Sequence, residues 1–207
     1  MALIQRTGIY GTYWGNTYDS SNALTETQMQ VNAIYIYSYL TDKGWSINSI
    51  AATLGNMSVE SSLNPGRWQS DRVGGDTEGH GYSLVQWTPY TNYTDWVDGD
   101  PSEMDNALSR IIYELNNGLQ YIPTDSYPES FSEYTKSTKD LTYLTTAFLK
   151  NYERAGVEHL ETRINWSNTW YEFLTGVEPT PPGGKTSKNK KKRFNFILFN
   201  RRKRIYG

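Results

Sequence analysis

The chain has 207 residues, enough for one domain with a real core plus appendages. It contains no cysteine, which excludes disulfides and thiol chemistry and suits folding in a reducing compartment, and no stretch is apolar and long enough to cross a bilayer. The net charge of −2 hides an uneven distribution: ten of the 20 Lys/Arg lie in the last 23 residues without a single acid, so residues 1–184 carry a net of −12 and a boundary is expected before the basic tail.

Residues 1–24 are rich in Gly, Tyr, Thr, Asn and Ser, show no clear period, and read as an N-terminal arm or loop packed by Tyr10, Tyr13 and Trp14. Met1–Gly8 lacks the apolar core of a signal peptide. Thr25-Glu26-Thr27-Gln28 is a capping box, and Met29, Ala33, Ile36, Tyr37 and Leu40 recur at helical spacing until Gly44, which predicts a first helix over about 26–42. Ser46 caps a second helix whose stripe is Ile47, Ile50, Leu54 and Met57 and which Asn64-Pro65-Gly66 ends. Glu60 falls near the edge of that stripe, where partial burial disfavours a charged carboxyl; the alternative is an ordinary solvent-facing helix-end glutamate.

Residues 67–87 are glycine-rich and irregular, which predicts a small β-hairpin or sheet. Thr88-Pro89 reads as an N-cap and first helical position of a short helix to about Val97. A helix opening at Ser102–Asp105 carries Leu108, Ile111, Ile112 and Leu115 and stops near Gly118. After a loop with Pro123 and Pro128, Ser137–Asp140 starts a helix bearing Leu141, Leu144, Phe148 and Tyr152; a last one runs from about Glu158 to Leu174 and ends at Gly176. Six helices around one tiny sheet make an α+β, mostly α domain over residues 25–176.

A carboxyl group at a helix end, facing a polar hairpin, is the arrangement that cleavage of a sugar–sugar bond needs: one acid that keeps its proton, beside a groove of amides and flat rings. The 17 Tyr and 7 Trp fit such a groove, since rings stack on the apolar faces of sugars, and fit equally a Tyr-rich surface of no special meaning. His80 stands among Asp71, Asp76 and Glu78, but their spacing matches no ligand pattern, so no metal and no cofactor are expected. His159 reads as a surface helix residue, and no P-loop, Rossmann or Ser-His-Asp signature is present.

Asn56-Met57-Ser58-Val59-Glu60-Ser61-Ser62-Leu63-Asn64-Pro65-Gly66, then Gly81-Tyr82-Ser83-Leu84-Val85-Gln86-Trp87-Thr88-Pro89, then Phe148 with Tyr152-Glu153-Arg154, resemble the phage tail lysozyme family, over roughly residues 26–175. The resemblance is nearest to the tail-knob peptidoglycan hydrolases of small podoviruses infecting Gram-positive hosts. It implies a lysozyme-like fold of two helical lobes with a small β-hairpin and an intervening cleft. It implies cleavage of the β-1,4 bond between N-acetylmuramic acid and N-acetylglucosamine in peptidoglycan, within a virion and beside other phage tail proteins, opening the wall while DNA passes. Glu60 falls on the family's proton donor. A second acid, where relatives have one, comes from the region of Asp76 or Asp71; the alternative is that Glu60 acts without a partner, as in lytic transglycosylases, where the sugar's own 6-hydroxyl closes an anhydro ring. Gln86 falls on the cleft floor, where an amide can both donate and accept. Tyr82 and Trp87 flank it, although Trp87 is as readily a core residue, and Tyr82 and Ser83 depart from the family's small glycines. Tyr152 and Glu153 fall on the far side of the cleft, with Glu153 alternatively paired to Arg154 or Arg163. The competing class is a tail module that keeps the groove and grips glycan without cutting it.

Residues 177–189 are a Pro/Gly/Lys linker by composition. Residues 190–207 read basic–apolar–basic, with Phe194–Phe199 between two Lys/Arg runs. This segment either binds an anionic partner such as teichoic acid, lipid head groups or DNA without sequence preference, or docks on a virion neighbour, or begins a further domain.

Overall fold

The computed structural model of the chain describes residues 4–8, 11–15, 23–69 and 79–176. The linker 177–189, the tail 190–207, Tyr10, Asp71, Asp76 and Glu78 lie outside the described residues. Two strands come first, β1 (Ile4–Gly8) and β2 (Gly11–Gly15), followed by α1 (Glu26–Asp42), α2 (Ile47–Ser61), α3 (Thr91–Thr94), α4 (Met104–Asn117), α5 (Phe131–Lys136), α6 (Leu141–Phe148) and α7 (Leu160–Thr175), with a π-helical turn at Leu149–Glu153 after α6. The domain is thus mostly helical, with seven α-helices and little strand among the described residues.

The amino-terminal segment differs from the expected loop. β1 and β2 pair antiparallel from Ile4 opposite Gly15 to Gly8 opposite Gly11, and β2 lies against α1. Ile4, Thr7, Thr12, Tyr13 and Trp14 are the β-branched and aromatic types that favour a pleated backbone, a signal masked by the surrounding glycines.

α1 forms where its caps predict. The Thr25 hydroxyl accepts from the Gln28 amide while the Gln28 side chain accepts from Thr25 N. α2 is the axis of the domain. It packs most extensively on α7 and then α6, with α1 and α5 also against it, and residues 51–58 are buried on every side. The helices approach so closely that a Cβ on Gly55 would stand 2.0 Å from Ser167 Oγ and 2.6 Å from the Arg163 carbonyl. Buried polar groups lace this seam: Asn56 Nδ2 donates to the carbonyls of Ala52 and Thr145, the Thr145 and Ser167 hydroxyls meet at 2.7 Å, and Trp170 Nε1 donates to Ser58 Oγ at 2.8 Å. Each of these groups would be costly to bury unpaired.

α2 does not run on to Asn64-Pro65-Gly66. It stops at Ser61 because Ser62 and Leu63 turn left-handed, at φ 53° and 57°, with Asn32 Nδ2 holding the Leu63 carbonyl at 2.7 Å. Among the described residues, the expected hairpin at 67–87 amounts to isolated antiparallel bridges, Trp68 to Tyr82 and Tyr82 to Trp87. The helix expected from Thr88 is a single turn that begins at Thr91; the Thr88 hydroxyl donates to the Gln86 carbonyl instead of capping it. α5 was not anticipated, although Ser130 and Glu133 make a full capping box for it. α6 is shorter than its apolar period, because the π-helical turn takes over at Leu149 and carries Tyr152 and Glu153.

Candidate active site

Glu60 occupies the last turn of α2, with its side chain 17% exposed. Arg163 of α7 donates from Nη2 to Glu60 Oε1 at 2.5 Å. The guanidinium is itself enclosed, at 2% side-chain exposure, and its other donors reach the Glu158 carbonyl at 2.7 Å and the Asn56 Oδ1 at 3.2 Å. A buried guanidinium is tolerable only when paired, so Arg163 and Glu60 hold each other in place across the seam between α2 and α7.

Ser61, the next residue, connects this helix end to the second motif. Its hydroxyl donates to the Leu84 carbonyl at 2.9 Å. Arg67 completes the join, donating from Nη1 to Ser62 Oγ at 2.7 Å while its carbonyl accepts from Ser83 N and from Gln86 Nε2. The Glu-Ser and Leu-Val-Gln-Trp motifs, some twenty residues apart in sequence, are therefore tied together by hydrogen bonds. Ser62, Leu63, Ser83 and Gln86 are all non-glycine residues with left-handed φ, a backbone cost of about 1–3 kcal/mol each that clusters at functional sites. Gln86 is partly exposed, and its Nε2 also donates to the Ser83 carbonyl at 2.8 Å, which fixes its side-chain plane.

The aromatic residues of the two motifs turn inward. Tyr82, Trp87 and Tyr152 are 3%, 4% and 0% exposed, so they pack the core instead of lining open surface; for Trp87 this is the alternative that its position beside a helix start suggests. Trp87 stacks on Tyr93 at 4.4 Å and Tyr152 on Phe148 at 4.5 Å. Both also bond to Glu114 of α4, which is 1% exposed: Trp87 Nε1 and Arg110 Nε each donate to Glu114 Oε1 at 2.9 Å, and the Tyr152 hydroxyl donates to Oε2. Beside these motifs, Trp68 and Tyr90 are partly exposed, 5.1 Å apart, the first resting on Tyr82 at 4.5 Å. Tyr90 joins Gly79, Pro89 and Thr91 around an open depression of about 340 Å³ that does not include Glu60.

Glu153 ends the π-helical turn, just before Arg154 in the left-handed region. As a residue it is partly exposed, yet its Oε1 is enclosed and meets no hydrogen-bond donor. Enclosure, and next the charge of Glu60, push its carboxyl well above the usual carboxylate range; Arg163 and Arg154 oppose that push and Glu114 adds to it. Neither arginine pairs with it: Arg163 is engaged by Glu60, and Arg154 Nη1 donates to the carbonyls of Gln120 and Asn151. Glu153 is thus a second enclosed carboxyl near the one that the sequence picks out at Glu60.

Two residues of this network were not legible as such. Arg163 lies on the buried stripe of α7 with Ser167, Trp170 and Leu174, and Glu114 on that of α4 with Met104, Ala107 and Ile111. A charged residue at an apolar-stripe position is the signal that could have found both, because its burial demands a partner. His159 is exposed at the start of α7, and among the described residues no group of three His, Asp or Glu could hold a metal ion.

The chain is a mostly helical domain with a glutamate at the end of its central helix, tied to a glutamine-bearing turn. More particularly, the chain belongs to the phage tail lysozyme family, whose pattern matches residues 31–174. It is also 40% identical over 166 residues to Morphogenesis protein 1 of Bacillus phage B103, an overlap covering 79% of this chain and 44% of that protein. The chain thus spans less than half the length of this curated relative.

Proposed function

We propose that this domain is a peptidoglycan glycosidase of a phage tail, a muramidase that cuts the β-1,4 bond between N-acetylmuramic acid and N-acetylglucosamine, with Glu60 as the proton donor. The observation that carries the reading is the join of the two family motifs, with Ser61 bonded to Leu84 and Glu60 anchored beside them on Arg163. Arg163 fixes Oε1 and leaves Oε2 to hold a proton toward the bridging oxygen of a glycan. Loss of that oxygen builds positive charge on the ring carbon, and a proton supplied as the bond stretches lowers the barrier; a placed acid of this kind contributes about 10²–10⁴ in rate. Gln86 would read an N-acetyl group or hydroxyl through its amide, and the partly exposed Trp68 and Tyr90 would stack on sugar faces, in place of the buried Tyr82, Trp87 and Tyr152. Asp76, then Asp71, are the candidates for a second carboxylate. The domain would act from the virion, beside other tail proteins, on the wall of a Gram-positive host as DNA passes. Among the described residues no helix is long and apolar enough to cross a membrane.

The test is clearance of a suspension of Gram-positive walls by the purified chain and by Glu60→Gln. The variant is expected to lose clearance by about 10³-fold while still pelleting with the walls. Unchanged clearance rules out Glu60 as the acid. Wild-type protein that pellets without clearing is instead a glycan-binding tail module, and anhydro products would mark a transglycosylase.

A further inference from the structure

The enclosed carboxyl of Glu153 has no place in the reaction as described so far. Its surroundings set a specific problem. One buried cation, Arg163, stands among carboxyl groups from different elements: Glu60 on α2, Glu153 on the π-helical turn and Glu114 on α4. Glu114 is satisfied by Trp87, Arg110 and Tyr152. Arg163 is committed to Glu60. Glu153 Oε1 faces no donor at all, a position that a neutral acid tolerates far better than a carboxylate.

We propose that Glu153 is a positioning residue of this site, whose carboxyl group decides how Arg163 is divided between the two glutamates and so sets the orientation of Glu60. The inference rests on the muramidase reading for its consequence, but not for its mechanism. While Glu153 holds its proton, Glu60 is the carboxyl of this cluster that bonds to Arg163, and Oε1 stays anchored. When Glu153 loses that proton, a second carboxylate competes for the same guanidinium, and the anchor on Glu60 loosens. The groups that face Glu153 bear this out in sign. Glu60 and Glu114 oppose its ionisation; the hydroxyls of Tyr152 and of Tyr134 on α5, pushed well above their ordinary range chiefly by burial, are raised further by the charge of Glu153. Arg163 and Arg154 favour its ionisation, but enclosure outweighs them.

The experiment is a titration of the chain carrying glutamate labelled with carbon-13 at the carboxyl, with Glu60→Gln and Glu153→Gln used to assign the two resonances. The expected result is a Glu153 resonance with its midpoint well above the ordinary value of about 4.3, and a step in the Glu60 resonance at that same midpoint. The rate profile supplies a second readout. Wild-type kcat should fall on the alkaline side across that midpoint, and Glu153→Gln, whose side chain cannot ionise, should lack that limb with KM held within about twofold. A Glu153 midpoint in the ordinary range, a Glu60 resonance that ignores it, or an alkaline limb preserved in Glu153→Gln each overturns the proposal. Coupled resonances in a chain that cuts no wall would support the division of Arg163 and defeat the muramidase reading; wall cutting with independent resonances would do the reverse.

Discussion

Two enclosed glutamates lie on either side of Tyr152, and they differ in one respect. Glu114 is saturated: an indole, a guanidinium and a phenol all donate to it, and through them it ties α4 to the Leu-Val-Gln-Trp turn and to the π-helical turn. Glu153, next in sequence to that phenol, has an enclosed oxygen without any donor, and its proton is held well above the usual range as a result. The comparison teaches that burial alone does not make a carboxyl chemical. A buried acid whose lone pairs are filled is part of the frame, whereas one left short of donors holds its proton above the usual carboxylate range and can respond to its neighbours.

The comparison breaks first at Glu114. Glu114→Ala leaves the Trp87 and Tyr152 donors unsatisfied and the half-shielded Arg110 unpaired, and should cost about 3–5 kcal/mol in chemical denaturation. A cost under about 1 kcal/mol would make Glu114 no more structural than Glu153. A smaller loss is expected at Gly55. Alanine is the better helix former by about 1 kcal/mol, but its Cβ would meet backbone atoms of Arg163 and Ser167 at 2.6 and 2.8 Å, so α2 and α7 must separate. A net loss of about 2 kcal/mol should accompany a fall in wall cleavage, because the displaced residue is the one that anchors Glu60. Stability unchanged or raised would contradict the close seam.

The smallest effect sharpens the comparison at Glu153. A carboxyl raised on folding contributes stability that is complete below its unfolded value of about 4.3 and is lost as pH rises through the folded value. Glu153→Gln has no such slope, so its Tm should gain on wild type from mildly acidic to alkaline pH. Two curves that run parallel would show that Glu153 is not held protonated by the fold.

Much of this fold can be read from local chemistry. Thr25 with Gln28, Ser46, Gly118 and Asp140 mark helix ends that the structure keeps, because a cap is decided within one turn. The half-buried place of Glu60 at a helix end was legible for the same reason, at the end of a periodic run. Several of the failures are contacts between distant segments. Nothing near Trp87 or Tyr152 in sequence says that Glu114 draws both inward, and nothing near Glu60 names Arg163, more than a hundred residues on. The end of α2 was misplaced because Ser62 and Leu63 adopt a left-handed backbone that Asn32, on another helix, helps to hold. Asp76 and Asp71, the residues expected to supply a second carboxylate, lie outside the described residues; among those described, a carboxyl that interacts with Glu60 comes from the π-helical turn, as Glu153.

The central claim is that Glu60 gives its proton to the bond that breaks. Mass analysis of the products from purified Gram-positive peptidoglycan, treated with the wild-type chain and with Glu60→Gln, tests it most directly. Muropeptides ending in reducing N-acetylmuramic acid from the wild type, and none from the variant, are the predicted result. The same fragments released by both proteins would contradict it.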